Sequence, residues 1–321
     1  MSKLLSIIIP VYKVEAYVEQ CLRSCVEQET LSPDDYEIVV INDGTPDNSW
    51  PICERLAETF PQIRLFTQPN SGVSVARNKG INEAEGDFVW FVDSDDWIEP
   101  GCLPKMLDFL RQHPHLDILY IHGQVNYEDG RVDNEKYRCI FEGEMDGPEL
   151  IRRSALPTTP QWCLYRREHL LQHQLYFFPG IYHEDSEFIP RAAYVAKYIA
   201  CLDVLAYHLR RGSRQGTTAI FRMKNAMDTL VVMRHLYDYA KELPLPDKQG
   251  FYRLISRTMN NILFGAFQLT VAERKILYKE LKQHAYLFDA MRHSGRRKYQ
   301  LEGCLLKMSI PLAFRLYRII K

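Results

Sequence analysis

The feature that most constrains this chain is an alternation of short apolar runs with amphipathic stretches over its first 125 or so residues. Apolar, largely β-branched runs lie at four places: residues 5–10, 37–41, 63–66 and 88–92. Between them, apolar residues recur every three or four positions, as in Val18, Cys21, Leu22, Cys25 and Val26. This alternation predicts an α/β fold, with a doubly wound, mostly parallel sheet and helices on both faces.

The rest of the chain divides into two parts. From about residue 100 to 216 the pattern is less regular and predicts a helix over 103–110, a strand over 116–121 and a loop or hairpin over 131–138. From residue 221 onward the spacing is helical. We therefore predict one domain over residues 1–220, with halves of about 1–100 and 100–220, and a C-terminal helical region over 221–321.

Composition excludes several classes of protein. The 321 residues carry 40 Lys+Arg against 41 Asp+Glu, a net charge of −1, so no global basic field points to nucleic acid. No apolar run reaches the ~18 residues that a membrane span needs. The first apolar run stops at Lys13 and Glu15 with no cleavage site, so we interpret it as a strand and expect a cytoplasmic protein. The eight cysteines contain no C-x-x-C pair; we expect them to be reduced and to bind no zinc.

Three acids follow the fourth apolar run directly, in Asp93-Ser94-Asp95-Asp96. Acids this close repel one another, which favours a bound cation. In extended geometry Asp93 and Asp95 point to the same side. Oxygen ligands at this spacing suit a hard divalent ion, Mg²⁺ or Mn²⁺. The alternative is a solvated acidic turn that caps the next helix.

Other polar residues also sit where predicted strands end. Tyr12 follows the first strand and Asp43 the second, while Gly72 opens a helix that carries Arg77 one turn in. In open α/β sheets, ligands bind beyond the carboxyl ends of the strands. There a Tyr can stack on a base, a carboxylate can accept a pyrimidine imide N–H, and an Arg can bind a diphosphate. Each feature taken alone has another explanation: Asp43 belongs to a common Asn-Asp-Gly turn, and Arg77 is explained equally well as a surface charge.

Four blocks, in order, resemble a bacterial family-2 glycosyltransferase of the GT-A fold: residues 6–12, 40–45, 70–78 and 91–96. The resemblance implies a nucleotide-sugar donor, usually a uridine diphosphate sugar, a divalent metal held by the D-x-D motif, and inversion at the anomeric carbon. It assigns the metal to Asp95. It assigns the donor to a larger set: Pro10, Val11, Tyr12, Asp43, Arg77, Asp93 and Ser94. Neither a P-loop nor a G-x-G-x-x-G sequence follows the first strand, which argues against P-loop NTPases and NAD-dependent dehydrogenases.

Weaker matches extend the resemblance to about residue 215. Residues 162–167 are similar to a family segment K-L-Y-R-R, with Cys163 in place of the Lys. Residues 180–188 resemble the family's E-D motif, which implies Asp185 as general base with possible support from Glu184 and His183. Residues 207–213 resemble a block near the metal and diphosphate, which makes His208 a candidate metal ligand; the alternative is an ordinary hydrogen-bonded histidine.

The last 31 residues form a basic amphipathic segment. Residues 291–321 contain eight Lys or Arg and one acid, Glu302, interleaved with apolar residues. Such a segment is typical either of a peripheral anchor on an anionic membrane or of a packed helix with a solvated face.

Together these features predict an inverting glycosyltransferase that uses Mn²⁺ or Mg²⁺ and a nucleotide-sugar donor. The acceptor is expected to be a glycan or a lipid-linked saccharide in surface polysaccharide assembly, on the strength of the resemblance alone. One alternative is a sugar-phosphate nucleotidyltransferase, which would need a Gly-rich basic loop after the first strand. The other is a non-catalytic nucleotide-sugar-binding protein, which the complete set of acids, including Asp185, disfavours.

Overall fold

A parallel four-stranded block forms one half of the sheet. The computed structural model describes residues 3–28, 31–133, 141–212 and 220–320. Strands and helices alternate in the first hundred residues: β1 (Leu5–Val11), α1 (Val18–Val26), β2 (Tyr36–Asn42), α2 (Ser49–Thr59), β3 (Ile63–Thr67), α3 (Val73–Glu83) and β4 (Phe88–Phe91). The strands lie in the order β3-β2-β1-β4 and all pair in parallel. The predicted α/β alternation is confirmed.

The other half of the sheet mixes directions. Its strands are β5 (Trp97–Ile98), β6 (Ile118–Tyr127), β7 (Val132–Asp133), β8 (Glu144–Met145), β9 (Cys163–Arg166) and β10 (Ile199–Arg211). The sheet continues past β4 in the order β9-β6-β10-β5. Strand β9 runs antiparallel to both β4 and β6, whereas β6 and β10 are parallel. Because β9 runs antiparallel to β4, the segment before β9 lies beside the carboxyl end of β4, where the acidic run follows.

Helices make up most of the remaining described chain: α4 (Cys102–Gln112), α5 (Gly147–Arg153), α6 (Arg167–Gln172), α7 (Glu184–Tyr194), α8 (Met223–Ala240), α9 (Leu245–Gly265), α10 (Val271–Gln283), α11 (Tyr286–Arg292), α12 (Arg297–Met308) and α13 (Ile310–Ile320). The predicted C-terminal helical region is confirmed. Among the described helices, none is both long enough and apolar enough to cross a membrane.

Contacts group the chain into two compact units. The first comprises Met1–Gly147, Pro157–Gly180 and Val195–Ser213, and the second comprises Pro148–Leu156, Ile181–Tyr194 and Arg214–Lys321. The acidic run lies in the first unit, whereas α7, with Asp185, is grouped with the C-terminal helices. The single boundary near residue 220 stays a prediction, because the chain passes between the units more than once.

The core of the first unit surrounds the parallel strands. Every residue of β1 is buried, as expected for a parallel strand covered on both faces. Cys21 and Cys25 lie on the buried face of α1, as predicted. At β4, the ring of Trp90 packs edge-on against Tyr207 of β10, with 6.2 Å between centroids. The core therefore joins the parallel block to β10.

The expectation that all cysteines are reduced is wrong for Cys201, which is disulfide-bonded. Six others are free: Cys21, Cys25, Cys53, Cys102, Cys163 and Cys304. Position 139 lies outside the described residues. A disulfide depends on two Cα atoms approaching within about 4.4–6.8 Å, and spacing along the sequence does not reveal that approach.

Close packing between α3 and β1 predicts a stability effect at Gly80. A Cβ built on Gly80 would lie 2.2 Å from Cγ2 of the buried Ile8. We expect Gly80→Ala to lower the free energy of unfolding by about 1–3 kcal/mol, because overpacking outweighs the gain in helix propensity. Urea titration measures this. In an Ile8→Ala background the clash is removed, so a Gly80→Ala cost that persisted there would contradict the explanation.

Candidate active site

The acidic run after β4 forms a tight turn. The Asp96 amide donates to the Asp93 carbonyl at 3.0 Å, so Asp93 and Asp95 are not in the extended geometry that we expected from the sequence. The turn nevertheless gathers the acids: candidate ligand oxygens of Asp93, Asp95 and Asp96 all lie within 4.8 Å of one another. The predicted acidic cluster thus exists, but it is produced by a turn.

Two side chains hold the carboxylate of Asp93 from opposite sides. The Arg77 guanidinium donates to its Oδ1 at 2.7 Å, and the Gln161 amide donates to its Oδ2 at 2.6 Å. Arg77 is only 3% exposed and packs on the ring of Phe177. Arg77 was expected to meet a diphosphate directly; here its charge is directed to Asp93 instead, and the diphosphate contact stays a prediction.

Asp96 anchors the turn to β10. Its carboxylate accepts the Tyr207 hydroxyl at 2.5 Å and the Arg210 amide at 2.6 Å. The Tyr207 hydroxyl also accepts the Asp93 amide at 3.1 Å. Burial, with the charges of Asp95 and Asp93, raises the pKa of Asp96 well above its usual value. Asp96 therefore fixes the backbone of the turn, and both of its oxygens are occupied.

Asp95 is the acid of the cluster that is open for a ligand. Its side chain is exposed, and within the described residues no other residue donates a hydrogen bond to its carboxylate. Partial desolvation of the carboxylate by the surrounding protein, followed by the charge of Asp93, raises the pKa of Asp95 to about 6. A divalent cation would relieve this repulsion, and an all-oxygen donor set suits Mg²⁺ or Mn²⁺. The residues present fit such an ion.

His208 lies outside this cluster. One ring nitrogen, Nε2, contacts Glu99, and the other, Nδ1, accepts from the amides of Gln124 and Asn126 at 2.9 and 3.3 Å. Its ring stacks on Trp97 with 5.0 Å between centroids. Because both nitrogens have protein partners, this geometry gives no support to the predicted metal role. It matches the hydrogen-bonded alternative.

Of the three residues predicted at the end of β1, only Tyr12 offers an exposed side chain, at 41%. Pro10 and Val11 are buried in the strand, so only their backbone can face a ligand. The Lys13 amide, just after Tyr12, donates to the Thr45 hydroxyl at 2.8 Å. Tyr12 is therefore presented from a loop that is fixed to the loop after β2.

Asp47 organises these two loops and was missed as a site residue. Its carboxylate accepts the hydroxyls of Thr45 and Ser49, each at 2.6 Å, and the Glu15 amide at 3.2 Å. Burial alone would raise the pKa of Asp47, but hydrogen bonds from Ser49 and Thr45 lower it to about 2. The loops around Tyr12 are thus held by a carboxylate that stays ionised at neutral pH.

Asp43 has a similar role in front of α3. Its Oδ1 accepts from the Gln68 side chain and the Ser71 amide, both at 2.8 Å. Its Oδ2 accepts from the Asn70 side chain at 3.1 Å and the Gly72 amide at 2.8 Å. The residue is 3% exposed. We expected Asp43 to recognise a base; the structure shows that it orders residues 68–72, and base contact stays a prediction. Ser94, also predicted to bind the donor, is buried at 7% exposure.

In the second unit, Glu184 and Asp185 begin α7. Asp185 accepts the Ser186 amide at 2.5 Å and is half-buried. His183 precedes the helix with a φ of 65°, in the left-handed region. An acid in the first turn is favoured by the helix dipole. These contacts are compatible with both a general base and a helix cap.

Comparison with known proteins decides the family. The sequence profile of Glycosyl transferase family 2 matches residues 6–172, which is more than half of the chain. The chain belongs to this family. This match favours a glycosyltransferase over the sugar-phosphate nucleotidyltransferase alternative.

Relatives and solved structures agree with this family-2 assignment. The chain is 35% identical over 237 residues to the glycosyltransferase EpsJ of Bacillus subtilis, covering 71% of this chain and 66% of EpsJ. It is 33% identical over 191 residues to YibD of Escherichia coli, covering 56% and 54%. The chain thus spans between half and two thirds of these relatives. A crystal structure of S. aureus TarS residues 1–349 with UDP-GlcNAc matches with a TM-score of 0.75 at 21% identity, over 98% of this chain and 89% of that one. This match shows the GT-A fold.

Three residues around the acidic turn were not proposed as site residues from the sequence: Gln161, Tyr207 and Asp96. Asp96 was visible as part of the acidic run. Gln161 lies just before the block at 162–167 and Tyr207 is the first residue of the block at 207–213, yet no spacing rule connects them to Asp93. Their contacts span 68 and 114 residues of chain, and only the packing of β9 and β10 brings them together.

The four hydrogen bonds to Asp43 predict two effects of Asp43→Ala. Unfolding should become easier by about 1–3 kcal/mol, because buried donors lose a charged acceptor. Uridine diphosphate binding should weaken about tenfold to a hundredfold. Thermal unfolding and calorimetric titration measure both. If Asp43 also contacts the base, the preference for uridine over cytidine diphosphate disappears in the variant. Unchanged stability together with unchanged affinity would contradict both roles.

Proposed function

We propose that this family-2 enzyme transfers a sugar from a uridine diphosphate sugar to a hydroxyl of a saccharide or lipid-linked acceptor, with inversion and with help from Mn²⁺ or Mg²⁺. The observation that carries the proposal is the exposed Asp95 carboxylate, grouped with Asp93 and Asp96 on the turn after β4. The TarS crystal structure with UDP-GlcNAc supports this choice of donor, since TarS has the same fold. A setting in surface polysaccharide assembly, at the cytoplasmic face of a membrane, follows the sequence resemblance.

The donor would bind beyond the carboxyl ends of β1, β2 and β4. Tyr12 is exposed there and can stack on the base, while the loop ordered by Asp43 lies in front of α3. Arg77 and Gln161 hold Asp93 in a single orientation, which suits a carboxylate that hydrogen-bonds a ribose or sugar hydroxyl. Pro10, Val11 and Ser94 would contribute through their backbone or by shaping the turn.

The metal would be held chiefly by Asp95. When bound, a divalent cation would neutralise charge on the diphosphate as it leaves. The chain's own part is to present the Asp95 carboxylate without a hydrogen-bond donor from any other described residue. Arg77 and Gln161 bind Asp93 instead, and Tyr207 and the Arg210 amide bind Asp96.

Asp185 is proposed as the general base, from the sequence resemblance and its place at the start of α7. Its carboxylate would take the proton from the acceptor hydroxyl while that oxygen bonds to the anomeric carbon. The bond from the anomeric carbon to the diphosphate oxygen breaks, and the electron pair leaves with the diphosphate. Glu184 and His183 adjoin Asp185 and could influence it, whereas one displacement needs only one base.

Metal dependence is tested by donor binding. We expect EDTA to abolish calorimetric binding of uridine diphosphate and Mn²⁺ to restore it, because the acidic cluster repels a bare diphosphate. Asp95→Ala should lose metal-dependent binding and keep its fold. Asp108→Ala, which removes an exposed acid from α4, is the matched control and should bind normally. Strong binding that persists in EDTA would refute the metal assignment.

The base is tested by Asp185→Asn. Donor and metal affinity should be retained, and release of uridine diphosphate should slow by roughly 10²–10⁴, because Asn cannot take a proton. Glu184→Gln is the matched control and should keep a rate within a few-fold of the wild type. If Asp185 is only a helix cap, Asn serves nearly as well. Turnover of Asp185→Asn close to the wild-type rate would therefore reject the base assignment.

A further inference from the structure

Helices α12 and α13 in the second unit expose large apolar side chains. On α12, Leu301 is 71% exposed and Met308 is 79% exposed, seven residues apart and so on one face. On α13, Leu312 and Leu316 are 43% and 38% exposed and are separated by one turn. Met308 and Leu312 are only four residues apart along the chain. Successive large apolar side chains left in water on two consecutive helices are unusual for a surface without a partner.

These helices are firmly packed through their other side. Ala313, Phe314 and Tyr317 of α13 are buried at 1%, 2% and 7% exposure. Phe314 meets the ring of Tyr278 on α10, and Tyr317 meets Phe264 at the end of α9, with centroid distances of 5.0 and 5.3 Å. The exposed leucines and methionine therefore belong to anchored helices. The tail was expected to be either a membrane anchor or a packed helix. Packing accounts for the buried sides of these helices and leaves their exposed sides unexplained.

The charges beside these exposed sides are basic. Arg297 and Arg315 are exposed, and neither has an acidic partner within the described residues. Lys307 is exposed and binds Asp289 of α11 at 2.7 Å. The one acid on the described parts of α12 and α13, Glu302, is buried at 7% exposure. The exposed sides of α12 and α13 thus each carry apolar side chains and an arginine without an acidic partner among the described residues.

We propose that these exposed sides, together the α12–α13 surface, dock the enzyme peripherally on an anionic lipid bilayer. The surface consists of Arg297, Leu301, Met308, Leu312, Arg315 and Leu316. Leucine and methionine would enter the headgroup region while the arginines remain beside lipid phosphates. This deepens the proposed function, because a lipid-linked acceptor would lie in the same membrane.

Charge complementarity favours lipid over the other possible occupants. A second copy of the chain using the same face would place its arginines against those of its partner, since a twofold interface pairs a surface with itself. Nucleic acid would match the arginines and leave the leucines and Met308 without apolar contact. No described helix spans a bilayer, so the surface would lie on the membrane.

The test is co-sedimentation of the full chain with vesicles of phosphatidylglycerol mixed with phosphatidylcholine. We expect binding at low salt, little binding to pure phosphatidylcholine, and substantial release at about 1 M NaCl, where the screening length falls to ~3 Å. Met308→Glu/Leu312→Glu and, separately, Arg297→Gln/Arg315→Gln should each weaken vesicle binding by roughly tenfold or more.

The matched control is Leu245→Glu. Leu245 is 65% exposed and begins α9, whose far end is the one that contacts Tyr317. This variant should bind vesicles like the wild type. Soluble uridine diphosphate binding should be unchanged in every variant, which separates a failure of membrane docking from a failure of the proposed donor site.

Three results would overturn the proposal. The first is a wild-type chain that stays in the supernatant with anionic vesicles at low salt. The second is wild-type vesicle binding by both double variants. The third is lipid-free dimerisation in analytical ultracentrifugation that Met308→Glu/Leu312→Glu abolishes, because the occupant would then be a second copy of the chain.

Discussion

Repulsion among three carboxylates is the constraint on which the first unit's site depends. Asp93, Asp95 and Asp96 sit within 4.8 Å of one another at the end of a buried strand, where their charges are poorly screened. The fold tolerates this because each of two acids has its own fixed donors. Asp93 has Arg77 and Gln161, and Asp96 has Tyr207 and the Arg210 amide. Asp95, the acid that faces solvent, has no such donor from another residue in the described part of the chain.

The mixed half of the sheet supplies these donors. Gln161 lies in the short 3-10 helix just before β9, the strand inserted antiparallel between β4 and β6. Tyr207 and Arg210 come from β10, which is parallel to β6. Without β9 and β10 the acidic turn would lack Gln161, Tyr207 and the Arg210 amide as partners. The architecture therefore serves the site through strands that are remote in sequence.

Two further aspartate side chains of the first unit hold backbone segments in place. Asp43 orders residues 68–72 before α3, and Asp47 joins the loops after β1 and β2. Both carboxylates receive several donors, which compensates for their removal from water. Loops at the carboxyl edge of the sheet are thus held in place before any ligand arrives, and this reduces the entropy lost on binding.

The sequence by itself determined the α/β alternation, the strand ends that carry Tyr12, Asp43 and Asp93, and the helical C-terminal region. These follow from local periodicity, and the four sequence blocks, in their order, indicated the family. It did not determine that the acidic run is a turn, that Arg77 is buried against Asp93, or that His208 is bound by Glu99 and Gln124. Apart from the turn, which is local, those contacts join residues 16 to 109 positions apart, and the tertiary packing decides which side chains meet. Periodicity specifies which face of a strand or helix is buried, whereas the partner of a buried charge depends on the tertiary packing.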